Sequence, residues 1–307
     1  MKQQMGVGGL VMMLVLCLAS CGPEGESLTA AQLAEKYPDK RYAQIDGVSL
    51  HYEQEGLGRP LVFLHGLLTY SHLWRNITPG LTFGNTIYSL DLMGCGFSEK
   101  PHDKTYSLDT YVNQLAAFLD SFHLDNPILA GHDLGGVIVT LYTLRNPDKV
   151  RKLIIIDAPL YSAAPPLAVR LLRTKLIGEL FTGDWFLKRI LRGGVAKETA
   201  MPDALVDDYL RPYHEDPGAR AALLKLVREL ELRPVLENEI QPNLNKLQLP
   251  TLVMWGDSDA YVPLDFGKKL DQEIPNADFA VILRSGHYVQ EERPEEVRAV
   301  LKEFIEK

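Results

Sequence analysis

The chain has 307 residues, 46% hydrophobic and 23% charged, with a formal net charge of −8. That balance excludes a disordered chain and suits a globular protein with a sizeable core. The acidic balance, with no Lys/Arg-rich cluster, argues against nucleic acid as a partner. The length fits one large domain carrying an insertion or two smaller domains.

The first twenty residues read as an address rather than as part of the fold. Lys2 precedes an apolar run from Val7 to Leu18, too short to span a bilayer but of the length a signal-peptide core needs. The run ends in Leu18-Ala19-Ser20-Cys21-Gly22, which resembles the lipobox of bacterial lipoproteins. The resemblance implies cleavage after residue 20, a lipid on Cys21, and a protein anchored to a membrane of the bacterial cell envelope, facing the periplasm or the exterior. Gly22 is not Asp, so that family's inner-membrane retention signal is missing. Cleavage also removes Cys17, and a lipidated Cys21 leaves Cys95 without a partner, so no disulfide framework is expected.

Residues 21–41 begin Cys-Gly-Pro-Glu-Gly-Glu-Ser and continue as a short polar helical segment, expected to act as a tether. Tyr42 to Ile45 and Ser49 to Glu53 flank Asp46-Gly47, the signal for an antiparallel hairpin. Apolar runs suited to doubly covered strands follow at Pro60 to His65, Thr86 to Asp91, Ile128 to His132, Lys152 to Asp157, Thr251 to Trp255 and Phe279 to Leu283. Helical patterns lie between most of them: Tyr111 to Phe122, Gly136 to Arg145, Phe266 to Glu273 and Pro294 to Ile305. The alternation predicts an α/β fold, a mostly parallel central sheet with helices on both faces, built from 42–158 and 243–307. It fails over 159–242, where only helical segments appear (Leu167 to Leu180, Trp185 to Leu191, Ala219 to Glu231).

One stretch organises the rest. Ile128 to Thr140 runs as a strand, breaks at Gly131-His132-Asp133-Leu134-Gly135-Gly136 and resumes as a helix. A sharp strand-to-helix turn needs small residues around its central residue, and the glycines supply that room. The turn sets Asp133 at a helix start, where unpaired N–H groups favour negative charge. With Asp in place of the usual Ser, this resembles the nucleophile elbow of the α/β-hydrolase fold. The similarity is to the branch with an aspartate nucleophile, the epoxide hydrolases and haloalkane dehalogenases. It covers nearly everything from Tyr42 to Lys307 and makes 159–242 the helical cap.

The resemblance assigns further residues. His65-Gly66-Leu67-Leu68 is similar to the loop that supplies an oxyanion-hole N–H, here Leu67, with Leu134 giving the second. His65 itself reads as structural. Gly256-Asp257-Ser258-Asp259, followed by Val262-Pro263, matches the loop of the triad acid at Asp259, with Asp157 as the rival acid. Ser285-Gly286-His287 matches the catalytic-His loop, whereas His51, His72, His102, His123 and His214 read as surface or boundary residues. Asp133, Asp259 and His287 stand in nucleophile–acid–base order.

An aspartate is ionised at neutral pH without a base. Its attack on an ester would give an anhydride, whereas attack on a polarised sp³ carbon gives an alkyl ester and expels a halide or an epoxide oxygen. His287, oriented by Asp259, would then activate water to hydrolyse that ester. This chemistry needs no cofactor, and no metal-ligand spacing is visible. The substrate implied is a small apolar organic molecule. The dehalogenase halide cradle uses a Trp after the nucleophile and an Asn or second Trp elsewhere; those first two places hold Leu134 and Leu67, leaving Trp185 in the cap. Epoxide hydrolases use cap tyrosines as acids, for which Tyr161, Tyr209 and Tyr213 are the candidates. The missing cradle favours epoxide opening, with haloalkane dehalogenation as the alternative. A non-catalytic, surface-anchored binding protein with a hydrolase core is the reading from another class.

Overall fold

In a computed structural model of the chain, residues 25–175 and 177–307 are described. The proposed signal peptide and Cys21 lie outside them. One eight-stranded sheet forms the centre, in the order β1-β2-β4-β3-β5-β6-β7-β8. β1 (Arg41–Ile45) and β2 (Val48–Gly56) form the expected hairpin. Its turn residues Asp46 and Gly47 have φ of 51° and 77°, the doubly positive pair of a type I′ turn, which Asp-Gly adopts most easily. β2 also runs antiparallel to β4 (Asn85–Leu90).

Every remaining pairing is parallel: β3 (Arg59–Leu64), β5 (Ile128–His132), β6 (Lys152–Ile156), β7 (Thr251–Gly256) and β8 (Ala277–Ile282). β5, β6 and β7 are buried throughout, as continuous apolar runs require when helices cover both faces. From β3 the chain moves first to β4 on one side and then to β5 on the other. The loops leaving β3 and β5 therefore diverge over a crevice at the strands' carboxyl ends, where open α/β sheets bind ligands. Those loops carry Leu67 and Asp133.

Between β6 and β7 the described residues contain helices and no strand. Helices span Leu167–Arg173, Asp184–Gly193, Asp203–Glu215 and Ala219–Glu229. The first is shorter than the pattern Leu167 to Leu180 suggested. The third, absent from the sequence reading, carries Pro212 in its last turn, which masks its periodicity.

Two expectations are corrected. Residues 25–41 do not hang free as a tether. Ala30–Lys36 is a helix capped by a reciprocal Thr29/Gln32 box. Its Leu33 is buried, and one turn later Tyr37 is buried too and donates to Glu215 Oε2 at 2.6 Å. Lys36 Nζ donates to the Glu215 carbonyl, and Leu28 N donates to Asp216. The i, i+4 apolar pair docks this segment on the end of the Asp203–Glu215 helix. His51 is likewise not a surface residue: it is fully buried, its Nδ1 lying 2.8 Å from Asp91 Oδ2. Asp91 also accepts the amides of Ser71 and Phe97, so this His–Asp pair fixes loops behind β4.

Candidate active site

Asp133 sits between β5 and the helix Leu134–Arg145 with φ 50° and ψ −117°, a strained conformation for a residue with a side chain. The close approaches around it require glycines at 66 and 135. A Cβ on Gly135 would lie 2.4 Å from the Leu64 carbonyl oxygen, and one on Gly66 would lie 2.5 Å from Asp133 Cβ. The strain holds the carboxylate against the β3 loop, where Leu67 N donates to Asp133 Oδ2 at 2.8 Å.

Burial raises the Asp133 pKa above the ordinary carboxylate range, against the opposing pull of His287 and of the Leu67 and Leu134 N–H groups. His287 shows the reverse balance. Burial disfavours its cation, but the charge and hydrogen bond of Asp259, helped by Asp133, lift its pKa above the usual value. His287 Nδ1 lies 2.8 Å from Asp259 Oδ2, which leaves Nε2 as the free nitrogen. Asp259 is itself aimed by Tyr261 N and Val262 N, which donate to its Oδ1 at 2.7 and 3.0 Å. Asp133, His287 and Asp259 thus come together from three loops, as their order in the chain anticipates.

The rival acid stands behind this pair. Asp157, at the end of β6, is fully buried with φ 45°. Its Oδ1 accepts Gly256 N at 2.9 Å, while no N–H or O–H of a described residue reaches Oδ2. The group it meets is the Asp259 carboxyl, a contact that bonds only if one of the two holds a proton. Burial, then the Asp259 charge, push the Asp157 pKa well up, so Asp157 is the protonated member. The orienting partner of His287 is Asp259.

Supporting residues are less visible in the sequence. His65 is buried, its Nδ1 2.8 Å from the Gly66 carbonyl and its Nε2 accepting Leu92 N at 3.0 Å; it shapes the loop that carries Leu67. His132 packs against the site: its Nε2 lies 2.8 Å from the His287 carbonyl, and the two rings are 4.6 Å apart. Cap residues hold the same loop: His287 N donates to the Gly194 carbonyl at 2.6 Å, and Ala196 N donates to Glu292. Nothing in local sequence pattern announces Gly194.

Asp133 and His287 open on a cavity of about 390 Å³ with a largely apolar lining that includes Leu67, Leu134, Leu226, Leu232 and Phe266. The size suits a small organic molecule. The cap tyrosines do not serve it as expected. Tyr209 is buried elsewhere, donating to Glu291. Tyr213 packs outside the cavity near Cys95 and Arg220. Tyr161 lines the cavity, but its hydroxyl donates to Glu273 Oε2 at 2.8 Å.

Two other tyrosines line it, Tyr261 and Tyr288. The Tyr261 hydroxyl donates to the Ile190 carbonyl at 2.5 Å, whereas that of Tyr288 makes no hydrogen bond among the described residues. Both lie within two residues of a predicted triad member, the signal that could have found them. Trp74 is fully buried against Phe63, and Trp185 is 61% exposed on the outer side of the cap. Trp255 is fully buried as well, and none of the three indoles lines the cavity. Among the described residues no group of three or more His, Cys, Asp or Glu could hold a metal ion.

A family model for the alpha/beta hydrolase fold matches residues 59–180 and 188–294, which include Leu67, Asp133, Asp259 and His287. The chain belongs to that family. Among relatives of this alpha/beta hydrolase is cis-3-alkyl-4-alkyloxetan-2-one decarboxylase of Shewanella oneidensis, 29% identical over 87% of this chain and 89% of that protein. Haloalkane dehalogenase 2 of Mycobacterium tuberculosis is 25% identical over 87% of this chain and 95% of its own length. A crystal structure of an alpha/beta hydrolase fold protein from Burkholderia ambifaria superposes with a TM-score of 0.78 at 25% identity, covering 86% of this chain and 97% of that one. The chain is therefore a hydrolase of this fold, with haloalkane dehalogenases among its relatives.

Proposed function

We propose that Asp133 attacks an sp³ carbon of a small apolar substrate, opening a strained oxygen ring and forming an ester that water then hydrolyses. The observation that carries this reading is the Leu67 N–H on Asp133 Oδ2, beside a His287 that Asp259 orients. Oδ2 in the hole becomes the ester carbonyl oxygen, leaving Oδ1 as the nucleophile. The ring C–O bond breaks, and the leaving oxygen takes a proton from Tyr288, the cavity-lining phenol with no other hydrogen bond. Burial keeps that phenol neutral. His287 then takes a proton from water as it adds to the ester carbonyl, and the Leu67 and Leu134 N–H groups hold the oxyanion; collapse releases the diol and the Asp133 carboxylate, and the proton on His287 returns to the Tyr288 phenolate.

Two observations separate the leaving groups. No tryptophan or asparagine side chain lies beside Asp133 to hold a halide, which counts against dehalogenation despite the mycobacterial relative. The Shewanella relative is named for an oxetan-2-one, a four-membered lactone whose ring carbon would release a carboxylate without an acid. Strained C–O bonds are common to both ring substrates. Purified protein should form diol from alkyl epoxides, or consume 3,4-dialkyl oxetan-2-ones, faster than it frees halide from chloro- or bromoalkanes. Halide release at an equal or greater rate would reverse the assignment to haloalkane dehalogenation.

The envelope location is part of the proposal. Lipidation at Cys21 would place this chemistry on a membrane outside the cytoplasm; among the described residues no helix is long and apolar enough to cross one.

A further inference from the structure

On the outer side of the cap a second, open groove of about 800 Å³ runs between the helices Leu167–Arg173 and Asp184–Gly193. Its rim carries Leu167, 66% exposed, and Trp185, 61% exposed. Partly exposed Phe181 adds to this apolar surface, its ring centroid 6.0 Å from Trp185, and buried Phe186 supports the indole from beneath at 5.3 Å. One turn after Trp185, Arg189 is exposed and makes no ion pair among the described residues. An indole beside an unpaired cation on an amphipathic helix suits the boundary between acyl chains and anionic headgroups. The groove shares a wall with the catalytic cavity, since Ala168, Ile190 and Tyr261 line both.

The start of the described chain fixes where a membrane would lie. Gly25 packs on Pro217, and Ser27 on Gly218. Two residues after Gly218, Arg220 donates to the Thr182 carbonyl and, at 2.6 Å, to Oδ1 of Asp184, the residue before Trp185. Cys21 lies four residues ahead of Gly25, a reach of at most about 14 Å. A lipid there cannot hold the protein at a distance; it brings this edge of the cap to the bilayer.

We infer that the cap face bearing Leu167, Trp185 and Arg189 rests in the lipid–water interface, so that apolar substrate enters the groove from the membrane. This rests on lipidation of Cys21. Trp74 and Trp255 are fully buried, so Trp185 is the one exposed indole of the three in the sequence. The test reconstitutes the full-length protein in phosphatidylcholine/phosphatidylglycerol vesicles, with and without brominated acyl chains. Bromine should quench about one tryptophan of the three, and Trp185→Phe should remove that quenching. Leu167→Ser should slow turnover of an apolar substrate dissolved in the vesicles while leaving a water-soluble one unchanged. Phe83→Ser, altering a residue 96% exposed on the turn before β4, should change neither. Mass spectrometry of the N-terminal peptide separates the failures. A lipidated Cys21 without Trp185-dependent quenching overturns the docking alone, and an unmodified Cys21 overturns the anchor and the docking together.

Discussion

Asp157 and Asp259 stand carboxyl to carboxyl beyond the ends of two neighbouring parallel strands, and burial together with the Asp259 charge pushes the Asp157 pKa well up, favouring the proton there. Since Asp157 donates and does not orient His287, Asp157→Asn keeps a donor in place and should hold kcat within about fivefold of wild type. Asp259→Asn should cost about a hundredfold or more. A titration distinguishes the roles independently. Folding raises the Asp157 pKa, so its stabilising contribution is complete below about pH 4 and is lost as pH rises through the raised native value. The melting temperature of Asp157→Asn should therefore gain on that of wild type as pH increases. An unchanging difference would place the proton elsewhere.

His287→Gln should leave attack by Asp133 largely intact and stop hydrolysis. The expected result is an alkyl ester on the peptide containing Asp133, seen by mass spectrometry, with one equivalent of product released before turnover ceases. Asp133→Ala should give neither adduct nor burst. If His287→Gln accumulates no adduct with any substrate the wild type consumes, Asp133 acts instead as a base toward water.

Tyr288→Phe and Tyr209→Phe should differ in kind. The first should cut epoxide opening by about a hundredfold, the scale of a lost general acid, while sparing any substrate whose leaving group needs no proton. The second removes a hydrogen bond to Glu291, which Arg75 still pairs in two-pronged fashion. It should lower stability by about 1 kcal/mol and leave the chemical step unchanged. A stalled chemical step in Tyr209→Phe would restore the cap assignment.

The Asp133 charge is one of the influences that hold the His287 pKa up. In the proposed reaction, forming the ester would abolish that charge at the moment His287 is to act as a base. Asp133→Asn imitates the neutral state, and NMR titration should find the His287 pKa lower than in wild type. An equal or higher value would mean that Asp259 alone sets it.

The sheet and the meeting of Asp133, Asp259 and His287 were legible because each depends on local pattern. The Asp46-Gly47 turn, the doubly buried strands and the glycines around Asp133 are all constraints that neighbours in sequence impose. The acid could be narrowed only to Asp157 or Asp259, since the choice depends on which carboxyl reaches His287. The cap resisted for the same reason. Tyr161, Tyr209 and Tyr213 carry the right group, but hydroxyl direction is decided by partners such as Glu273 and Glu291, over 80 positions away. The Asp203–Glu215 helix was hidden by Pro212, and the docking of Leu33 and Tyr37 by the polar residues around them.

The hydrogen bond from His287 N to the Gly194 carbonyl makes the cap a structural parent of the catalytic loop. Tyr288 presses on Gly194 as well, where even a methyl group would meet its ring at 2.4 Å. A cap that swung away as a lid would pull out the brace on its own base, so admission and chemistry could not be separate events. The alternative that leaves this brace intact is passage between the helices that flank Ala168 and Ile190, with side chains parting while the backbone stays. Turnover should then depend on the bulk at those two positions more than on any hinge.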